Sequence, residues 1–473
     1  MEKRAIGDAM CDRLRVPPTT NSSRRNRQTR PIAVDLFAGA GGLTLGFEQA
    51  GFDIVAAAEY DPVHAATHLF NFPQCEMLCR NIANLSGAEV LSAARKGFER
   101  MHPDLIWPGR LDAIVGGPPC QGFSSGGKRE EGDERNELLL EFVRLVEEIQ
   151  PRTLCLENVA GLLEGRFTHV REVAFNRLRD AGYELSGTES TVNSLRFAVP
   201  QMRRRVVVLG AREGGAPGRP RTMPGEVSVA DALSGLPSPG RYEALFDSDE
   251  VRLDGRDFKR LQSTSSEYAR YLVGLDPTPG DRSRPRQWER HLLTGSRRTR
   301  HEAGTVARFK LTEPASVEAR SRLYRLPVNG PARTLRAGTG AERGAHTSPR
   351  PIHPLEDRVI TVREAARLHG YPDWFRFHTT NWHGHRQVGN SVPPPLARAA
   401  ARVLLECLSE YKPLPLRAAV MLGDPALLWM SRTAAKSMVG AVAEEMPATR
   451  SRRSSDPADN LDAVAGAQGK STS

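Results

Sequence analysis

The chain has 473 residues, 39% of them hydrophobic, and a formal net charge of +10 carried mainly by arginine. Such a length admits one large domain or about two to three ordinary ones around a real core. No apolar run is long enough to span a bilayer and the N-terminal stretch lacks the apolar centre of a secretory signal, so a cytoplasmic location is expected.

Residues 1 to about 30 read as a disordered basic tail. Order is expected from "PIAVDLFAGAGGLTLGFEQAGF", where the apolar run Ile32 to Phe37 predicts a strand, the glycines a turn and the rest a helix. "FDIVAAAEYDP" predicts a second strand with an acidic end, "PVHAATHLF" a short helix and "CEMLCRNI" a third strand. "LDAIVGGPPC" predicts a fourth strand that delivers Cys120 at its carboxyl end, before the glycine-rich charged loop "QGFSSGGKREEGDER". Leu139, Phe142, Val143, Val146 and Ile149 recur with the period of an amphipathic helix. "RTLCLENVAG" predicts a fifth strand ending at Glu157 and Asn158, and Val206 to Leu209 a further one. Strands alternating with helices predict an α/β fold, a doubly wound and mostly parallel sheet covered on both faces.

Between about 211 and 350 Pro, Gly, Arg and Ser rise while apolar residues still recur, which predicts a smaller, irregular second domain. Thr361 and Glu364 then form a capping-box pattern for the helix "VREAARLH", ended by Gly370 and Pro372. "LARAAARVLLECL" predicts a last helix. The organisation expected is a domain over 31–210, a second over 211–350, a return to the first over 351–412, and a mostly disordered tail over 413–473.

The basic balance bears on partners more than on fold, and nucleic acid is the partner it favours. The six cysteines show no disulfide-framework spacing, so they are expected to be reduced. His64, His68, Cys75 and Cys79 have a spacing that zinc can use, but they straddle a helix and a strand, and no metal is expected. In "DLFAGAGG" the glycines, Gly39 and Gly41 among them, let backbone approach a ligand at a helix N-terminus. Glu59, ending the second strand, suits the two hydroxyls of a ribose, and Tyr60 can stack on a base. Cys120 is held by two prolines before it and a loose loop after it, at the strand end where open sheets bind ligands. That placement suits a nucleophilic thiolate, with the loop free to close over a substrate.

Together these stretches resemble the DNA (cytosine-5) methyltransferases of the bacterial restriction-modification type, over nearly all of 31–411 and in the family's usual motif order. "DLFAGAGG" and "EYD" resemble the cofactor motifs, "GGPPCQGFS" the nucleophile motif, "ENV" the catalytic glutamate motif and "VPQMRRR" the Q-x-R-x-R motif. "RVITVREAARLHGYPD" and "HRQVGNSVPP" resemble the two motifs that follow the variable recognition region. The resemblance implies a Rossmann-like sheet binding S-adenosyl-L-methionine, with a target-recognition domain over 211–350. It implies Cys120 as nucleophile on carbon 6 of a flipped-out cytosine, Glu157 at N3 and the exocyclic amine, and Arg205 at O2 with Arg203 in support. The cofactor residues it implies are Phe37, Gly39, Gly41, Glu59, Tyr60, Asn81, Pro118, Leu138, Asn390 and Ser391.

Double-stranded DNA is the expected partner of a monomer, beside a cognate restriction endonuclease acting on the same site without a physical complex. Lys128 and Arg129 in the loop after Cys120 are expected to meet phosphate, and Arg336 and Arg343 in "PARTLRAGTGAERG" to read guanine. Two positions depart from the family pattern. Asn81 stands where an aspartate usually meets the adenine amino group, and Ala198 where a glycine often precedes "VPQ". The rival readings are a tRNA cytosine-5 methyltransferase, a non-enzymatic DNA-binding regulator on the same scaffold, and a dinucleotide oxidoreductase, in which "PPC" with "ENV" has no role.

Overall fold

The computed structural model describes residues 30–119, 137–223, 225–338, 350–414, 416 and 418–440. The strands β1 (Ile32–Leu36), β2 (Asp53–Ala58), β3 (Glu76–Leu78), β4 (Ala113–Gly116), β5 (Thr153–Val159), β6 (Glu184–Ser186), β7 (Thr191–Asn193), β8 (Gln201–Met202) and β9 (Arg204–Ala211) come first. All but β8 form one sheet in the order β3-β2-β1-β4-β5-β9-β6, with β7 also on β9. β1 to β5 pair in parallel. β9 runs antiparallel to β5, β6 and β7. The sheet is therefore mixed. Between β7 and β9 there is no crossover helix, only a short 3-10 turn and β8, and a parallel return needs a long crossover.

β1, β2 and β4 read as unbroken apolar runs and are buried along their whole length because helices cover both faces. Those helices are α1 (Gly42–Ala50), α2 (Pro62–Asn71), α3 (Gly87–Met101), α4 (Glu137–Ile149) and α5 (Thr168–Asp180). The chain winds outward from β1 through β2 to β3, then returns to place β4 on the other side of β1. That reversal opens a crevice at the carboxyl ends of β1 and β4, where open α/β sheets take their ligands.

The region after β9 contains α6 (Val229–Leu233), β10 (Val251–Arg252), α7 (Gly255–Gln262), α8 (Glu267–Val273), β11 (Arg286–Gln287), β12 (Leu292–Leu293), α9 (Ala303–Lys310) and β13 (Ala332–Arg333). It has its own small core of Leu253, Leu261, Val273 and Leu293. The middle of this region leaves that core and crosses the back of the sheet domain. Arg286 there is buried against Glu48 of α1, at 2.7 Å, and Arg284 reaches Asp53 of β2.

α10 (Val362–Leu368) has the expected capping box of Thr361 and Glu364. α11 (Asn381–Asn390) and α12 (Pro394–Cys407) bring the chain back to its beginning. α12 lies along α1 so closely that a Cβ on Gly46 would sit 2.4 Å from the Cβ of Ala397.

Some residues assigned to the two tails are ordered. Arg30, assigned to the N-terminal tail, is buried: its guanidinium meets Asp53 at 3.1 Å and the carbonyls of Glu48, Phe52 and Arg282. The stretch after 413, expected to be mostly disordered, forms β14 (Val420–Met421) and α13 (Arg432–Met438). β14 pairs with β11, and Leu427, Leu428 and Ala435 cover Val63, Ala66 and Phe70 of α2. These apolar residues are sparse in a Ser/Ala/Arg-rich stretch, but they pack together on a face of α2. Among the described residues no helix is long and apolar enough to cross a membrane.

Candidate active site

The crevice is built first by the turn after β1. Phe37, Gly39 and Gly41 all take left-handed backbone conformations, at φ of 61°, 56° and 106°. For phenylalanine that is strained, and such strain persists where a ligand loop needs a fixed shape. Gly41 caps α1 without any side-chain hydrogen bond, and a Cβ added to Gly39 would meet nothing within 4 Å. The space above the turn is therefore open and borders a helix N-terminus.

Glu59, just past β2, locks this turn. One carboxylate oxygen accepts from the Gly39 N–H and the other from the Asp61 N–H, both at 2.7 Å. Each oxygen keeps a further lone pair, which suits the vicinal hydroxyls of a ribose. Tyr60 beside it is half-buried. Asn81 follows β3, and its amide oxygen, expected to face an adenine, caps a short turn by accepting from Ala83 N–H at 3.1 Å. Ser391 closes the other side, and a Cβ on Gly42 would come within 3.1 Å of its Cβ and 2.4 Å of the Val392 carbonyl. Asn390 ends α11 in an exposed position, and Leu138 is half-buried in the first turn of α4. Gly turn, Glu59 and Ser391 thus converge as expected, and the residues fit a nucleoside-bearing cofactor.

A support beneath the turn was not foreseen. Asp35 of β1 accepts from both the backbone N–H and the hydroxyl of Thr44, at 3.0 and 2.7 Å. The Thr44 hydroxyl then accepts from Nε2 of His68 at 3.0 Å. Burial pushes the Asp35 carboxyl up to about 7 and the His68 imidazole down to about 3. His68, one of the four possible zinc ligands, is thereby used to hold α1 on β1. The signal was present in the sequence, since an aspartate inside an apolar buried strand needs a partner.

The second half of the site lies at the ends of β4, β5 and β9. Glu157 faces Val207 across the antiparallel pair, so Arg205 is its diagonal neighbour on the same face. Nε of Arg205 meets Oε1 of Glu157 at 2.8 Å, with both side chains nearly buried. The other carboxylate oxygen abuts β4, 3.1 Å from where a Cβ on Gly117 would be. Burial raises the Glu157 pKa above the usual carboxyl range, against the opposing pull of Arg205 and then Arg203. Pro118 is buried, and its carbonyl lies 3.5 Å from the Asn158 side-chain amide. Cys120 follows two residues later, outside the described residues, as do Lys128, Arg129 and Arg343.

Arg203, expected in support of Arg205 at O2, pulls on the Glu157 carboxyl while its guanidinium is held by backbone carbonyls. It is 2% exposed and donates to the carbonyls of Leu335, Gly389 and Ser391 at 3.1, 2.9 and 2.9 Å. Three carbonyls offer a buried guanidinium more acceptors than the pocket wall does, and so Arg203 supports the frame around the site. Arg336 is exposed beside the end of α11, with its carbonyl carbon 2.6 Å from where a Cβ on Gly389 would be. Gln201, in the same motif, was given no role from sequence, yet it is buried and its side chain is bonded to two distant chain segments, at Leu335 and at Leu368 and His369.

The arrangement agrees with what the chain is similar to. A "Type II methyltransferase M.XorII" of Xanthomonas oryzae pv. oryzae is 44% identical over 431 residues, covering 91% of this chain and 97% of the relative. A "Type II methyltransferase M.AgeI" of Thalassovita gelatinovora is 27% identical, covering 80% of this chain and 99% of the relative. The crystal structure of a prophage-encoded protein of E. coli, described as a DNA modification methyltransferase, superposes with a TM-score of 0.62 at 30% identity. It covers 80% of this chain and 99% of that one. The profile of the C-5 cytosine-specific DNA methylases matches residues 32–406. With a family match over most of its length, and with a carboxyl and a guanidinium paired at the mouth of a cofactor crevice, the chain belongs to the C-5 cytosine-specific DNA methylases.

Proposed function

We propose that this DNA cytosine-5 methylase takes its methyl group from S-adenosyl-L-methionine, works through a covalent Cys120 adduct on a flipped-out cytosine, and is the modification enzyme of a restriction-modification system. The observation that carries the chemistry is the Glu157–Arg205 pair, set 2.8 Å apart beside the strand end that leads to Cys120. Bound between Glu59 and Ser391, S-adenosyl-L-methionine would supply a sulfonium methyl group as electrophile.

The residues do the rest. Carbon 5 of cytosine is a poor nucleophile until the Cys120 thiolate adds to carbon 6. That addition forms the S–C6 bond and pushes an electron pair into the ring. The raised pKa of Glu157 suits it to hold a proton at N3 while this charge develops. Arg205 stabilises the same charge at O2, in a site that is nearly dry and so of high electrostatic value. Carbon 5 then takes the methyl group, loses its proton to a base and expels the thiolate, which restores the aromatic ring. A base stacked in duplex cannot reach these groups, and extruding it costs a few kcal/mol. The restriction-modification role is supported by the names of the relatives, two of which are Type II methyltransferases.

Bisulfite sequencing of DNA from cells expressing the protein tests this reading. A single methylated sequence context is expected, together with a covalent complex on duplex carrying 5-fluorocytosine at that site. Cys120→Ser should bind DNA and leave it unmethylated. Methylation by that variant at the wild-type rate would overturn the nucleophile.

A further inference from the structure

Three buried polar side chains, Gln201, Arg203 and His369, close a ring of hydrogen bonds between the cofactor crevice and the recognition region. Gln201 accepts from the Leu335 N–H at 3.0 Å and donates to the Leu368 carbonyl at 3.3 Å and to Nδ1 of His369 at 2.9 Å. Since His369 accepts at Nδ1, its proton is on Nε2, which donates to the Ser391 carbonyl at 3.0 Å. Arg203 donates to that same carbonyl at 2.9 Å, to Gly389 at 2.9 Å and to Leu335 at 3.1 Å, which completes the circuit. Gln201 and His369 have no exposed surface and Arg203 almost none. Burial beside Arg203 holds the imidazole of His369 well below its usual pKa, so the neutral tautomer that the ring requires is the stable one.

The ring joins two places that bind different molecules. Ser391 lines the cofactor crevice. Leu335 lies between Arg333 and Arg336, both exposed. Around Leu335 the recognition region is otherwise held to the sheet domain by the two-residue pairing of β13 with β8 and by the Thr334 hydroxyl on the Met202 carbonyl at 2.6 Å. Gly389 is in direct contact with Ala337, 2.5 Å from where a Cβ would be to the Ala337 nitrogen. Ordering Ser391 and the end of α11 therefore orders residues 333–337 through the same carbonyls, and the reverse.

We infer that Gln201, Arg203 and His369 are positioning residues that couple cofactor binding to DNA binding, so that whichever ligand arrives first meets the ordering cost of the shared frame and the second binds more tightly. The coupling must be reciprocal for the two affinities. This rests on the cofactor reading proposed above.

The test measures the dissociation constant of a duplex carrying the site found by bisulfite sequencing, with and without saturating S-adenosylhomocysteine. In the wild type the cofactor product should tighten DNA by a factor on the order of 5 to 150. In Arg203→Lys, Gln201→Met and His369→Gln that factor should fall to about 1–2, with each variant shown to be folded by its circular dichroism and melting. Arg177→Met, which removes only the half-exposed ion pair with Glu147 between α5 and α4, should keep the wild-type factor. If any folded ring variant keeps the full factor, or if the wild type methylates DNA and shows none, the inference is overturned. Should Arg203→Lys fail to fold, the other two decide. A wild type that binds no S-adenosylhomocysteine would instead sink the cofactor reading, and this inference with it.

Discussion

Glu157 on β5 and Arg205 on β9 are diagonal neighbours across an antiparallel strand pair and meet at 2.8 Å. Arg205 bears on the protonation of Glu157, since burial raises that carboxyl's pKa and Arg205 is the largest force lowering it. Glu157→Gln should cut kcat by about 10²–10⁴. On the proposed role of Glu157 as proton holder, wild-type kcat should fall as pH rises through its elevated pKa, and Glu157→Gln should lack that descending limb. Arg205→Ala should lower kcat and move the limb to higher pH. Single-turnover rates across pH check all three, and an unmoved limb in Arg205→Ala would refute the pairing.

Glu59 grips the glycine turn with one oxygen, through the Gly39 N–H, and its own strand end with the other, through the Asp61 N–H. Glu59→Ala should weaken S-adenosyl-L-methionine by about 1–3 kcal/mol through the lost charged acceptor. Titration calorimetry reads this directly, and unchanged affinity would remove Glu59 from the cofactor site.

Ala198 takes φ +55°, a left-handed conformation that costs an L-residue roughly 1–2 kcal/mol. Glycine relieves that strain and gives back about 0.5–1 kcal/mol in chain entropy. Ala198→Gly should therefore stabilise the protein by up to about 1 kcal/mol in urea unfolding, with activity kept.

Arg286 and Glu48 form a bidentate, buried ion pair, at 2.9 and 2.7 Å. Arg286→Met strands the carboxylate of Glu48 and should cost about 3–5 kcal/mol. Adding Glu48→Leu removes the stranded charge, and the double variant should recover most of the loss. Denaturant midpoints of the three proteins give the comparison.

Arg336 is exposed beside the ring. If it reads guanine, Arg336→Ala should relax preference at one position of the site, by about 1–3 kcal/mol. A phosphate contact would instead weaken all sequences alike and flatten the salt dependence. Methylation rates on every single-base variant of the site separate the two, and a preference unchanged at every position ends the reading role.

The sheet domain was legible because its strands are unbroken apolar runs and its turns are glycine-rich. Glu59 was legible because a charged residue at the end of a buried strand needs a reason to be there, whereas Glu157 and Arg205 were legible through the resemblance of "ENV" and "VPQMRRR" to family motifs. The antiparallel strands at the far edge were not, since a mostly apolar run such as Val206 to Leu209 has the same composition in either direction. The roles of Arg203 and Gln201 were not legible either. Their partners are backbone carbonyls and N–H groups far along the chain, which every residue type carries, so composition holds no trace of them. The ordered stretch around α13 was hidden for a related reason, its few apolar residues gaining meaning only against α2.

The close seating of α12 on α1 also bears on how the protein comes into being. α1 leaves the ribosome long before its cover, residues 394–407, is made. At about 5–20 residues per second that interval is on the order of tens of seconds. Throughout it, the nascent chain carries α1 without the helix that seats on Gly46. The sheet domain can then complete its folding only once residues 394–407 have emerged, through contacts between segments far apart in the sequence. Contacts so distant in sequence fold slowly, which makes yield in the cell depend on chaperones and on translation speed more than on final stability.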